Sequence, residues 1–345
     1  LLIHVYTDKT KRISKSLHND AIKYYSISKP DKSLVKNEVY TFSKVFGIAI
    51  QKLSNENVFH CVTAAMKLGT GLDEFSKDFP DRYIDVGIAE EHAVTYAAGL
   101  CAAGEKVIIA IYSTFMQRGY DQIIHDVALQ KIPLILCMDR SGLVGEDGPT
   151  HHGVFDISFM RHIPNIIISS PKDGFELHDL LYTAIYNNKT FAIRYGKIKT
   201  PYNDNYNPKL IDIGSWNVEN KGSKIAILAV GSMVEIGLDV FDEILKEFNL
   251  EISVINCRFI KPIDEDLLFS ICSNHQFLIT IEEGCRIGGF GSSILEFVNE
   301  NNMNIKVKTL GIPDKFIEHG SRLELLQKLN LTSKGVFDII KEYLE

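Results

Sequence analysis

The six cysteines, at positions 61, 101, 137, 257, 272 and 285, include no CxxC pair, and no Cys/His spacing suggests a metal site. Reduced, mostly buried thiols are therefore expected. No apolar run approaches the roughly 18 residues that cross a bilayer, so no membrane partner is expected. There is no excess of basic charge either. Lys and Arg number 37 against 44 Asp and Glu, a formal net charge of −7, which argues against nucleic acid as a main partner. No short internal repeat and no complete GxGxxG or Walker pattern occurs. An initiator Met is also missing. The opening "LLIHVYTDKTKR" is no signal peptide, because its apolar part is too short and its basic residues follow it. It reads as a strand entered midway, so the chain is expected to be a piece of something longer.

What is present is an ordinary globular composition, 45% hydrophobic and 23% charged over 345 residues. That length suffices for two domains with their own cores. Residues 1–36 hold one strand-like run and then a polar, lysine-rich, aperiodic stretch that reads as a linker. From residue 37, apolar strands alternate with amphipathic helices. "NVFHCVTAAM", "RYIDVG", "KVIIAIY", "IPLILCMD", "NIIISS" and "TFAIRYG" read as strands. "VYTFSKVFGIAIQKL", "AEEHAVTYAAGLCAAG" and "STFMQRGYDQIIHDVALQ" read as helices, the last capped by Ser113 or Thr114. The polar "KTPYNDNYNPK" marks a boundary near residue 200. Alternation then restarts with "KIAILAVG", "ISVINCRFI", "FLITIEEG" and "IKVKTLGI" as strands. The fold class is α/β: two domains, 37–200 and 201–345, each a mainly parallel sheet flanked by helices.

Parallel sheets bind ligands beyond the carboxyl ends of their strands, and four segments set unusual residues there. In "DVGIAEEHAV", Glu90 and Glu91 open a helix. Acids in a first turn offset the helix dipole, while a buried one would be a catalytic carboxylate. In "IYSTFMQRGYDQ", Tyr112 ends a strand, and Phe115 and Arg118 share a helical face. Stacking on a ligand ring and holding an anion compete with core packing and a surface ion pair. "DRSGLVGEDGPTHHG" puts four glycines, Arg140, Asp147, His151 and His152 after a buried strand. A loop so rich in glycine and titratable groups is more often functional than a plain connection. Arg194 ends the apolar strand "TFAIR" and needs an anion or an acid partner, since burying it alone is costly. "EEGCRIGGFGSS" looks like a phosphate-cradling turn before a helix, but tight helix–strand packing explains it better.

These segments, with "RFIKPID", closely resemble one family, the 1-deoxy-D-xylulose-5-phosphate synthases, from about residue 37 to the end. The resemblance implies a pyrimidine-binding thiamin-diphosphate fold followed by a transketolase C-terminal-like domain. Residues 1–36 would be the last strand of a diphosphate-binding domain and its linker. It further implies thiamine diphosphate and Mg2+, with the metal and the diphosphate held mainly by that other domain. Glu90 would bond the pyrimidine nitrogen, favouring the tautomer that deprotonates the thiazolium. Phe115 would stack on the ring, and Ile88 would also touch the cofactor. Tyr112, Arg140 and Arg194 would grip the phosphate of D-glyceraldehyde 3-phosphate. Asp147 and His151 would stand by the reacting carbons, where pyruvate loses carbon dioxide. The implied partners are the diphosphate-binding domain, in the same longer protein or in a second chain, and a second copy in a homodimer. The Ile, Asn and Lys bias leans toward an apicoplast, with a bacterial cytoplasm as the other setting. Small departures occur: Glu91 stands where Gln is frequent, and "DKTKRIS" lacks the usual glycine. Two other readings remain: the beta subunit of a 2-oxo acid dehydrogenase decarboxylase, and a fragment inactive without a partner chain.

Overall fold

The computed structural model describes residues 40–345, so the expected strand and linker of residues 1–36 lie outside the described residues. Within them two sheets form. The first has the order β10-β5-β6-β4-β3-β1-β2, built from β1 (His60–Thr63), β2 (Tyr83–Asp85), β3 (Val107–Tyr112), β4 (Ile135–Asp139), β5 (Ile166–Ser169), β6 (Thr190–Arg194) and β10 (Phe259–Lys261). The second has the order β12-β11-β8-β9-β7, from β7 (Asn217–Asn220), β8 (Lys224–Ala229), β9 (Ser253–Asn256), β11 (His275–Cys285) and β12 (Lys306–Ile312). All neighbours run parallel except β10 against β5 and β7 against β9. Both domains are thus mainly parallel α/β layers, as the alternation implied.

The central strands are apolar throughout because both of their faces are covered. Val107 to Ile111 in β3 are fully buried. The helix Glu90–Ala102 packs on β3 and β1, and the helices Phe42–Glu56 and Gly174–Ile185 pack on each other. The same logic holds in β8, where alternate side chains point to opposite faces. Ala226 and Leu228 join the core of the first sheet, while Ile225, Ile227 and Ala229 join a separate outer core with Phe277, Ile279 and Val336. The inner face of the second sheet is therefore sealed against the first domain. Burying a Leu or Ile side chain stabilises by ~1.5–3 kcal/mol, so this shared core ties the two sheets together firmly.

Two expectations need correction. "ISVINCRFI" is not one strand: Ser253–Asn256 joins the second sheet, and Phe259–Lys261 crosses to pair antiparallel with β5, Phe259 opposite Ser169. An apolar run satisfies either sheet equally, so composition does not reveal the crossing. The helix expected over 113–130 is broken into a short α turn, a 3-10 turn at Gln117–Gly119 and a π segment at Ile123–Ala128. Ser113 and Thr114 do not cap it. The Ser113 hydroxyl donates to Asp156 Oδ2 (2.9 Å) and that of Thr114 to the Thr150 carbonyl (3.3 Å). Partners from the loop after β4 and from the helix Asp156–Met160 have taken both hydroxyls. Five cysteines are buried and Cys285 is half-buried.

Candidate active site

The register of the first sheet sets Tyr112 opposite Asp139 and Met138 opposite Arg194. Three expected residues, Tyr112, Arg140 and Arg194, thus leave the carboxyl ends of adjacent strands β3, β4 and β6. Arg140 follows β4 with a φ of 60°, a left-handed conformation uncommon for a side chain this large. The turn points its guanidinium back across β3, 3.9 Å from the centre of the Tyr112 ring. Burial, only partly offset by Arg140, pushes the Tyr112 hydroxyl up to about 12, so it stays a neutral donor. Gly69 faces that hydroxyl, which leaves no room there for a Cβ.

From Tyr112 the contacts spread in both directions. Phe115 lies 6.0 Å from Tyr112, nearly parallel, and its edge meets His151 at 5.3 Å. Arg118 sits 4.8 Å over the Phe115 ring and donates to Glu90 Oε1 at 2.8 Å. Glu90 is 1% exposed although it opens a helix. An acid that only offset the helix dipole would stay in water, whereas Glu90 is buried and paired with Arg118. Ile88, two residues earlier, is 80% exposed beside this carboxylate. On the other side, Arg140 Nη1 is 3.3 Å from Asp147 Oδ2, and Lys197 Nζ is 2.7 Å from the same oxygen. Burial would raise the Asp147 carboxyl, but the two cations outweigh it and hold it below the usual range. Lys197 was not among the residues singled out from sequence. Its place directly after "RYG", at the mouth of β6, was the available signal.

Of the anion or acid that Arg194 was expected to need, the structure supplies the acid. It is 4% exposed, and its Nε donates to Asp156 Oδ2 at 2.9 Å while Nη2 donates to the Glu283 carbonyl at 3.1 Å. A guanidinium this deep must be paired, and Asp156, itself 1% exposed, is the partner. The glycine turn "GCRIGGFG" also has its answer. The carboxylate of Glu282 accepts from the backbone N–H groups of Phe290 and Gly291 at the start of a helix. The protein's own acid fills the place an anion would take.

The loop 143–152 is pinched at its base by two backbone hydrogen bonds, Gly142 N–H to Gly153 O (2.7 Å) and Gly153 N–H to Gly142 O (2.9 Å). Below it Asp139 is fully buried, and neither of its oxygens has a hydrogen-bond partner among the described residues. Burial lifts its carboxyl to about 7, although Ser43 and Arg140 stand near enough to oppose the rise. Glu90, Arg118, Phe115, Tyr112, Arg140, Asp147 and His151 thus form one continuous set of contacts over the ends of β3 and β4. It combines a dry carboxylate, a stacking ring and a cationic grip.

Residues 39–202 match the family described as "Transketolase, pyrimidine binding domain", and residues 214–336 match "Transketolase, C-terminal domain". Among curated proteins, the 1-deoxy-D-xylulose-5-phosphate synthase of Aquifex aeolicus is 42% identical over 100% of this chain and 55% of its own length. That of Halothermothrix orenii is 46% identical over 93% of this chain and 51% of its own length. The chain spans about half the length of these relatives. Among solved structures, a "Split gene transketolase, inactive beta4 tetramer" superposes with a TM-score of 0.79 at 25% identity, covering 88% of this chain and 97% of its own.

Proposed function

We infer that this chain, which belongs to the transketolase-like family of 1-deoxy-D-xylulose-5-phosphate synthases, forms the pyrimidine-binding and substrate-gripping wall of an enzyme joining pyruvate to D-glyceraldehyde 3-phosphate with loss of carbon dioxide. The observation that carries this reading is the unbroken set of contacts from Glu90 to Asp147 at the strand ends. The residues fit an aminopyrimidine: Glu90 is a buried carboxylate steadied by one arginine, with the Phe115 ring and the exposed Ile88 beside it. When bound, thiamine diphosphate supplies a carbon nucleophile and an electron sink.

The chain's own groups do the rest. Glu90 shares a proton with a weakly basic ring nitrogen, a task suited to a carboxylate shielded from water. Phe115 offers a ring for stacking. Arg140 and the neutral Tyr112 hydroxyl grip the phosphate, with Lys197 adding charge at the same mouth. Asp147 stays ionised and, with His151, lines the path to the reacting carbons. Arg194 braces the cleft through Asp156 rather than reaching into it. A diphosphate-binding region, in the same longer protein or a second chain, completes the site with Mg2+, and two copies assemble around it. The split-gene transketolase, built on nearly the same span, is described as inactive, which supports an inactive isolated chain.

The test pairs this chain with its diphosphate-binding region and follows the condensation of pyruvate with glyceraldehyde phosphate. Lipoyl acceptor reduction is assayed alongside. Condensation only in the paired sample is expected. Turnover by the isolated chain, or reduction of the lipoyl acceptor in place of condensation, overturns the reading.

A further inference from the structure

The substrate-facing loop rests on the second domain, and one of its contacts titrates. Leu143, which opens the loop, and Val154, just past its end, are buried in the outer core with Ile281, Ile317 and Leu325. Leu143 N–H donates to Glu283 Oε1 at 2.8 Å, and Arg322 holds that carboxylate from behind, Nε to Oε1 3.0 Å. Cys285 N–H donates to the Val154 carbonyl at 2.6 Å. Against the tip of the loop lie Gly320 and His319: a Cβ at Gly145 would stand 3.2 Å from Gly320 O, and one at Gly148 3.3 Å from the His319 Cβ. The loop therefore lies flush on the segment 318–322.

Between the two sits His152, 4% exposed. Its Nδ1 is 3.1 Å from the Val144 nitrogen, and its Nε2 is 3.3 Å from the Glu318 carbonyl oxygen. A backbone N–H only donates and a carbonyl only accepts, so both contacts require one form: neutral, with the proton on Nε2. A proton on Nδ1 would set two donors against each other. We propose that His152 is a positioning residue whose neutral ring latches the 143–152 loop onto the 318–322 segment, so that the second domain sets Asp147 and His151 in place. The proposal rests on the loop facing substrate, as inferred above.

Burial disfavours the imidazolium and lowers the pKa of this ring from the usual 6.5. Asp147 and His151 from the loop and Glu283 from β11 act on it, and the facing segment also carries His319 and Arg322. Burial, with His151 beside it, opposes protonation and outweighs the Glu318 carbonyl, Glu283 and Asp147, which favour it. The sign follows. The folded state prefers the neutral ring, so the latch is complete above about 6.5 and weakens as the pH falls below it.

Amide hydrogen exchange at Val144 reads the latch without needing activity. After correction for intrinsic rates, protection in the parent chain should be about tenfold lower near pH 5 than near pH 8, as expected for one lost hydrogen bond. His152→Asn places an acceptor where Nδ1 sits and does not titrate, so its protection should be independent of pH. His152→Ala should lack the protection at both values. In the complete enzyme, His152→Ala should raise KM for the aldehyde phosphate about tenfold while kcat stays within about twofold. Equal parent protection at both pH values, or an unchanged Val144 in His152→Ala, overturns the latch; if His152→Ala fails to fold, a pH dependence retained in His152→Asn does so. Loss of protection with an unchanged KM keeps the latch and overturns the placement of substrate against the loop.

Discussion

Removing the carboxylate of Asp156 should be among the most damaging single changes in the first domain. Asp156 Oδ2 accepts from Arg194 Nε and from the Ser113 hydroxyl, both at 2.9 Å, with all three residues below 5% exposure. Asp156→Ala leaves the guanidinium with the Glu283 carbonyl as its partner among the described residues. Stranding one member of a buried ion pair costs about 3–5 kcal/mol, a large part of a typical stability of about 5–15 kcal/mol. Asp156→Asn keeps one acceptor oxygen but sets its NH2 against the Ile157 N–H or against Ser113 and Arg194, and it removes the counter-charge, so about 1–3 kcal/mol is expected. The joint replacement Asp156→Leu with Arg194→Met removes both charges and fills similar volume, and should lie within about 1 kcal/mol of the parent. The assay is urea unfolding followed by the fluorescence of Trp216, the only tryptophan in the chain. Its indole N–H donates to the Phe259 carbonyl at 2.7 Å, where the crossing strand enters the first sheet. A loss below about 1 kcal/mol in Asp156→Ala, or a double variant as unstable as the single, would refute the claim that the pair is coupled and dry.

Arg140→Lys keeps the charge but loses the planar fork over Tyr112, so KM for the aldehyde phosphate should rise about 10- to 100-fold in the complete enzyme with a smaller change in kcat. Initial-rate kinetics at varied aldehyde check it, and an unchanged KM removes Arg140 from the grip. Asp139 holds its proton to about pH 7 when folded, while a free carboxyl releases it near 3.8, so unfolding releases a proton between those values and stability falls as pH rises through that window. Asp139→Asn should flatten this slope and be more stable than the parent near pH 8, as read from urea midpoints at about pH 5 and about pH 8. His178 is the reverse case: burial holds its ring down at about 4, so its contribution is complete above 6.5 and is lost as the pH falls toward 4. His178→Gln should shift the acid-unfolding midpoint downward in a pH titration of circular dichroism. Gly142→Ala puts a Cβ 2.8 Å from the Glu283 carboxyl carbon at a φ of 79°, and should cost about 2 kcal/mol or more in thermal unfolding while exposing the Leu143 amide to exchange.

The parts of the fold legible in the sequence are those set by covering a strand on both faces. "VIIAIY", "ILCMD" and "TFAIR" are apolar throughout and read as central strands, and Tyr112, Arg140 and Arg194 stand at or just past their ends. What stayed hidden depends on which distant group arrives. An arginine at a strand end is equally an anion ligand or half of a buried pair, and only the position of Asp156, four residues into the next turn after His152, decides it. A glycine turn before a helix is equally a phosphate cradle or a closed one, and only Glu282 reaching back to Phe290 and Gly291 decides that. Apolar "SVIN" and "FIK" are alike in composition, and only pairing assigns them to different sheets. The loop 143–152 belongs to both groups. Its glycines and charges set it apart in composition alone. The groups that fix its shape, Glu283, Arg322 and the Glu318 carbonyl, lie some 130 to 180 residues later in the chain. A loop held by a second domain has its geometry written outside its own sequence, so exchanging the loop alone between relatives should transfer its charges without transferring its shape.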